Sequence, residues 1–182
     1  CVFLGDVGDN KEARTSYHIY RVIEPSKLSA GTHAVAADDL PFTYPDGSHN
    51  CETVMVHPKD GTIYLVTKRG SGASGIYKFP SVTPGKSVVL TKVGEVTPPT
   101  GTNLITGGDI HPAAAGVLLR TYTNLFYYAM SGSLAASLAK PPCSVPVAGE
   151  AQGEAVTWAT DGKGWLTVSE GDEPALNRVT CP

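Results

Sequence analysis

Glu52, Asp109 and Glu154 each stand at or near the start of an apolar, strand-like run. Asn50 lies two residues before Glu52, so in an extended chain both side chains project the same way. Asp9 and Asn10 sit in the loop that follows Val2-Phe3-Leu4-Gly5-Asp6. Carboxylates and amides brought to one point repel one another unless a cation joins them. Calcium, with six to eight oxygen ligands at about 2.3–2.6 Å, suits that chemistry. The expected metal ligands are therefore Asn50, Glu52, Asp109, Glu154, Asp9 and Asn10, with calcium as the cofactor. The competing expectation is that the acids accept backbone N–H groups of a neighbouring element. Asp6-Val7-Gly8-Asp9-Asn10 is not an EF-hand loop, because its third position is Gly8 and its twelfth is Tyr17.

His49, beside Asn50 and Glu52, is the one histidine kept as a candidate catalytic base. His57-Pro58 and His111-Pro112 occupy matching turns and read as structural. Lys68 and Arg120 end apolar strands and are candidates for binding an anionic ligand, against the commoner reading of inter-strand salt bridges. The sequence holds no Gly-x-Ser-x-Gly, Walker loop, dinucleotide fingerprint or His-Glu-x-x-His. Gly70–Gly75 is glycine-rich but lies between two strands, so it reads as a hairpin loop.

The elements that carry these residues repeat. One unit runs from Asn50-Cys51-Glu52 through Val56, a Lys59-Asp60-Gly61 turn and Ile63–Lys68. Another contains Gly108-Asp109-Ile110 and Val117–Arg120. A further unit runs from Gly153-Glu154-Ala155 through a Thr160-Asp161-Gly162 turn to Trp165–Glu170. Each continues into a third strand: Gly75–Phe79, Leu125–Tyr128 and Leu176–Val179. The start of the chain reads as an incomplete copy, with Val2–Asp6 as its second strand and Tyr17–Val22 as its third. Helix signals are scarce, and the best candidate is the short Leu134–Leu138 stretch, which ends before Pro141-Pro142. Antiparallel units of about 40–60 residues are the signature of propeller blades. The expected fold is all-β, a β-propeller or partial propeller of about three and a half to four four-stranded blades. It forms a single domain, with blades near 1–45, 46–100, 101–145 and 146–182. A β-sandwich is the alternative.

The chain has 182 residues, 41% hydrophobic and 17% charged, with a net charge of −3. That is a globular composition without the basic excess of a nucleic-acid binder. No run reaches the roughly 18 apolar residues of a membrane helix. The four cysteines, Cys1, Cys51, Cys143 and Cys181, form no Cys-x-x-Cys pair. Two disulfides are expected: Cys143 with Cys181, which flank the last unit, and Cys1 with Cys51 by elimination. Free thiols are the alternative. Disulfides would imply export.

Gly5-Asp6-Val7-Gly8-Asp9-Asn10, Ile19–Pro25, Tyr44-Pro45-Asp46-Gly47 with Asn50-x-Glu52, Tyr64–Lys68 and Gly153-Glu154-Ala155 resemble segments of uncharacterised exported bacterial β-propeller proteins. The arrangement is more distantly similar to gluconolactonase-like and phytase-like propellers, which bind calcium at the mouth of the central channel. The resemblance implies a secreted, periplasmic or cell-surface protein. It also implies a parent ring of about six blades, completed here by a missing segment or a partner chain. The leading functional expectation is a binding or scaffolding module, with structural calcium. The alternatives are a calcium-dependent hydrolase of lactone or phosphoester substrates, and a subunit that completes a propeller with a partner.

Overall fold

The computed structural model describes residues 1–27 and 29–180. Its strands are short, and nearly all pair antiparallel with neighbours close in sequence. The turns explain this. In the Asp60-Gly61 and Asp161-Gly162 turns, the Asp carboxylate accepts the backbone N–H two residues on, at 2.9 Å from both Thr62 and Lys163. The glycines supply φ values of 71° and 69°. These tight turns fold each strand back on its predecessor and build a sheet from local sequence.

Four sheets result. The first holds β1 (Val2–Asp6), β2 (Tyr17–Val22), β3 (Ala37–Thr43) and, at its outer edge, β7 (Val88–Val89). The second holds β4 (Cys51–Val56), β5 (Ile63–Thr67), β6 (Ser74–Lys78) and β8 (Thr91–Val96). The third holds β9 (Ile105–Ile110), β10 (Gly116–Thr121), β11 (Leu125–Ala129) and β12 (Cys143–Val145). The fourth has three strands, β13 (Gly153–Trp158), β14 (Gly164–Ser169) and β15 (Asn177–Thr180). Among the described residues a single short helix, α1 (Leu134–Leu138), starts at Ser133, whose hydroxyl accepts the Ala136 N–H. The sheets are arranged as the four blades of a β-propeller. One strand strays from the expected partition: β7 leaves the second unit and pairs parallel with β3.

Three apolar cores fill the junctions between consecutive blades. Tyr17, Phe42, Leu65 and Tyr77 belong to the first, and Met55, Ile76, Ile105 and Phe126 to the second. Leu118, Val156, Trp158 and Trp165 form the third. Fully burying such a side chain contributes roughly 1.5–3 kcal/mol. Among the described residues no core joins the fourth blade to the first.

β4, β9 and β13 are the inner strands, packed side by side around the axis. Gly107 and Gly108 permit this approach. A Cβ at Gly107 would lie 2.6 Å from the Glu154 carbonyl oxygen on β13, and one at Gly108 would lie 3.0 Å from the Thr53 methyl on β4.

The disulfide expectation is corrected. Cys1 and Cys143 are exposed free thiols, and Cys51 is a free thiol inside the first core. The Cys51 thiol donates to the carbonyls of Thr53 and Val66 at 3.4 and 3.3 Å. Burial pushes its pKa up to about 12. A side chain enclosed this way cannot reach the exposed Cys1. Cys181 lies outside the described residues.

Candidate functional site

The inner strands share one irregularity. In β4, Cys51 pairs with Thr67 and Thr53 with Val66, so Glu52 is passed over. In β13, Gly153 pairs with Ser169 and Ala155 with Val168, so Glu154 is passed over. In β9, Ile105 pairs with Thr121 and Gly107 with Arg120, so Thr106 is passed over. A bulge re-aims the side chain it carries. Glu52, Thr106 and Glu154 accordingly line one axial cavity of about 450 Å³, together with Gly5, Val7 and Val54.

Their environments differ. Lys68 donates to both Glu52 oxygens at 2.8 and 2.7 Å, and to the Tyr122 hydroxyl at 2.6 Å. Burial alone would lower the Lys68 ammonium, but those hydrogen bonds hold it above its ordinary value. Glu154 has no ion-pair partner among the described residues, only the Gln152 amide at 3.4 Å. Burial, and then repulsion from Glu52, raises its pKa. Thr106 donates to the Gly153 carbonyl at 2.8 Å and ties the third blade to the fourth.

Asp109, expected beside the two glutamates, stands at the other end of β9, about 10 Å along the strand from Thr106. One Asp109 oxygen accepts the Trp158 N–H at 2.8 Å and the Thr157 hydroxyl at 2.9 Å. The other accepts the Ile110 N–H at 2.8 Å. Burial raises its pKa in spite of these donors. Asp109 is a clamp between blades, as the competing reading of the acids described. A register signal was present in the sequence: counting back five residues from His57, His111 and Ala159 gives Glu52, Thr106 and Glu154. Those three anchors occupy equivalent hairpin turns, each donating its N–H across the turn to Thr62, Gly116 or Gly164.

Asp9, Asn10 and Asn50 form a third group. Asn50 accepts the Asp9 N–H at 2.7 Å and donates to the Asn10 side chain at 2.9 Å. Asp9 accepts the Arg14 N–H at 2.8 Å and the Tyr17 hydroxyl at 2.9 Å. Burial raises the Asp9 carboxyl, but the N–H groups of Arg14 and Ala13 and the Tyr17 hydroxyl outweigh it and hold the carboxyl below its usual range. The six residues expected around one cation thus stand in three places. Among the described residues no three His, Cys, Asp or Glu side chains come close enough to share a metal ion.

This polar group forms one wall of a second cavity, a cleft of about 490 Å³ at the same end of the axis. Lys68 and Tyr122 form part of its wall, Asn10 lines it from the β1–β2 connection and Asn50 from just before β4, and Lys11, Arg69 and Ser71 come from the two flanking loops. Lys11 and Arg69 did not stand out in the sequence, because loop residues carry no strand periodicity.

Arg120 does not reach either cavity. Its side chain is 1% exposed and pairs with Glu150, itself 4% exposed, at 2.6 Å. It also donates to the Ala155 carbonyl at 3.1 Å. The same glutamate accepts Thr167 at 2.6 Å and Asn177 at 2.8 Å, so the group locks the fourth blade onto the third. His49 is likewise away from the cleft wall. It packs between Tyr44 and Tyr77 and bonds Asp46 at 2.9 Å and the Tyr77 hydroxyl at 3.0 Å.

No family model matches the sequence, and no curated protein matches it. Solved structures match its fold, two of which follow. Hydrazine synthase from Kuenenia stuttgartiensis superposes with a TM-score of 0.50 and 9% identity, over 90% of this chain and 40% of the other. A protein from Lactobacillus plantarum gives 0.43 and 11% identity, over 98% of this chain and 65% of the other. The chain therefore spans less than two thirds of the length of either. The fold is that of a β-propeller. At this identity the likeness to hydrazine synthase extends to the fold alone.

Proposed function

We propose that the chain is a binding module whose ligand site is the axial cleft, and that the ligand is a small, oxygen-rich anion such as a carboxylate or phosphate ester. The observation that carries this reading is the 490 Å³ cleft with Lys68 in its wall and Lys11 and Arg69 from its flanking loops. Lys68 gives its three N–H groups to Glu52 and Tyr122, so it contributes charge to the wall while the Tyr122 hydroxyl it holds offers a ligand oxygen an ordered donor. Arg69 forms only a long ion pair with Glu12, which also lines the cleft, at 3.7 Å, and its remaining guanidinium N–H groups can engage a ligand. Propellers host many functions, and a cleft of this size at the mouth of the axis is where a ligand is expected. With Cys1, Cys51 and Cys143 unpaired, export of the protein rests on the sequence resemblance.

The test is thermal unfolding with citrate, inorganic phosphate and uncharged glucose. Citrate or phosphate at about 100 times its dissociation constant should stabilise the fold by about 2.7 kcal/mol. Glucose should not. Arg69→Ala and Lys11→Ala should weaken the anion effect while leaving the unliganded melting temperature nearly unchanged. An anion effect equal in all three proteins, or none in the parent, would exclude the cleft.

A further inference from the structure

β9 begins beside the cleft, where Leu104 lines it, and its far end leads into His111. At that far end a separate pocket of about 280 Å³ is walled by His111, Tyr127, Val145, Trp158 and Trp165. Four of these, Tyr127, Val145, Trp158 and Trp165, also pack the third core, so the pocket is set into the junction of the third and fourth blades. Trp158 is its hub. Its ring meets those of His111, Tyr127 and Trp165 edge to face, with centroids 4.7, 6.1 and 5.8 Å away and planes at 73°, 82° and 86°. A cavity touching both rings of an edge-to-face pair fills the corner between them and meets ring faces. Among the described residues no Lys, Arg, Asp or Glu lines it. Its polar atoms are already engaged. The Tyr127 hydroxyl donates to the Ala115 carbonyl at 3.1 Å, and Trp165 Nε1 donates to the Pro146 carbonyl at 3.1 Å. His111 Nδ1 accepts the Ala113 N–H at 3.0 Å, so the proton of the neutral ring sits on Nε2, 3.3 Å from the Gly162 carbonyl. The Trp158 Nε1–H is enclosed by protein.

We infer that this aromatic pocket is a second binding site, independent of the cleft, and that it takes a quaternary ammonium head group. Aromatic faces carry the negative part of the ring quadrupole and attract a cation placed against them. A primary ammonium or a sugar would bring N–H or O–H groups that find no uncommitted side-chain acceptor here, and burying them unpaired is costly. A quaternary ammonium brings the charge without any N–H, so it leaves no donor unsatisfied. Its methyl groups gain from burial against Val145 and the rings. An uncharged hydrocarbon of the same shape gains the burial but not the attraction to the ring faces. The volume lies just under the roughly 300–1,000 Å³ of sites for drug-sized ligands, which suits a head group and not a whole cofactor.

The two tryptophans of the chain are Trp158 and Trp165, so intrinsic fluorescence reports on this pocket. The experiment titrates the protein with choline and with 3,3-dimethyl-1-butanol, its uncharged isostere, and repeats both titrations by calorimetry. Choline should give a saturable fluorescence change, and the isostere should bind at least tenfold more weakly. Tyr127→Leu keeps an apolar wall but removes a ring face, and should abolish most of that preference. Tyr127→Phe should retain it. Lys11→Ala, at the cleft, should leave choline binding unchanged. Sedimentation with phosphatidylcholine vesicles separates the sources of the head group. Co-sedimentation that choline competes away assigns it to a lipid, and choline binding without co-sedimentation assigns it to a soluble compound. Equal affinity for choline and the isostere would reduce the site to an apolar hollow and contradict the inference. So would a preference that survives Tyr127→Leu unchanged, a loss of choline binding in Lys11→Ala, or no binding of choline by either method. None of these outcomes bears on the anion effect at the cleft, which is read separately with citrate and phosphate.

Discussion

β1 and β10 are second strands of their blades, and they have opposite fates. Every residue of β10, Gly116–Thr121, is buried. Of β1, Val2–Asp6, only Phe3 is even half-buried. Their sequences do not explain this, since Val-Phe-Leu-Gly-Asp is about as apolar as Gly-Val-Leu-Leu-Arg-Thr. What differs is the neighbours. β10 lies between β9 and β11 and is packed by the fourth blade, while β1 has β2 on one side only. Burial of a blade strand is conferred by the strands around it, and the energetic weight of its residues follows.

Breaking the closed side should produce the largest effect. Arg120→Ala leaves Glu150 buried and unpaired, so stability should fall by about 3–5 kcal/mol in urea unfolding. Leu118→Ala, in the third core, should cost about 2–5 kcal/mol by the same measurement. The junction of the first two blades should show its contribution through pH. Burial raises the Asp46 carboxyl, but hydrogen bonds from His49, Tyr77 and Lys92 outweigh it and keep it below its ordinary 3.8. A depressed folded-state pKa gives stability that is present above 3.8 and lost as pH falls through the folded value. Asp46→Asn should flatten the acid limb of the stability curve by about 0.5–1 kcal/mol, since the carboxylate is partly solvated. On the open side effects should be small. Glu154→Gln removes repulsion from Glu52 and should raise stability at pH 7 by about 0.5 kcal/mol or less. Leu4→Ala, the counterpart of Leu118→Ala, should stay within about 0.5 kcal/mol.

Much of the architecture was legible because its causes are local. The Asp60-Gly61 and Asp161-Gly162 turns and the alternation in Cys51–Val56 announce hairpins, and the Ser133 cap and Leu134–Leu138 announce the helix. Val2–Asp6 and Tyr17–Val22 were legible as second and third strands for the same reason. The site was legible only in part. Glu52 and Glu154 do line one cavity, but Asp109 was aligned with them on residue type, whereas the shared bulge puts Thr106 there. A bulge adds a residue without leaving a mark on composition. The burial of Arg120 by Glu150 joins residues thirty positions apart on different blades, and no periodicity encodes such a meeting. Val88–Val89 crossing to β3 is lost to sequence for the same reason.

Native-state hydrogen exchange of the unliganded protein tests the central contrast most directly. The β10 amides should exchange only through global unfolding, and the β1 amides not bonded to β2 should exchange on the order of a thousandfold faster or more. Equal, slow exchange along both strands would show that the β1 edge is already covered and would contradict the account.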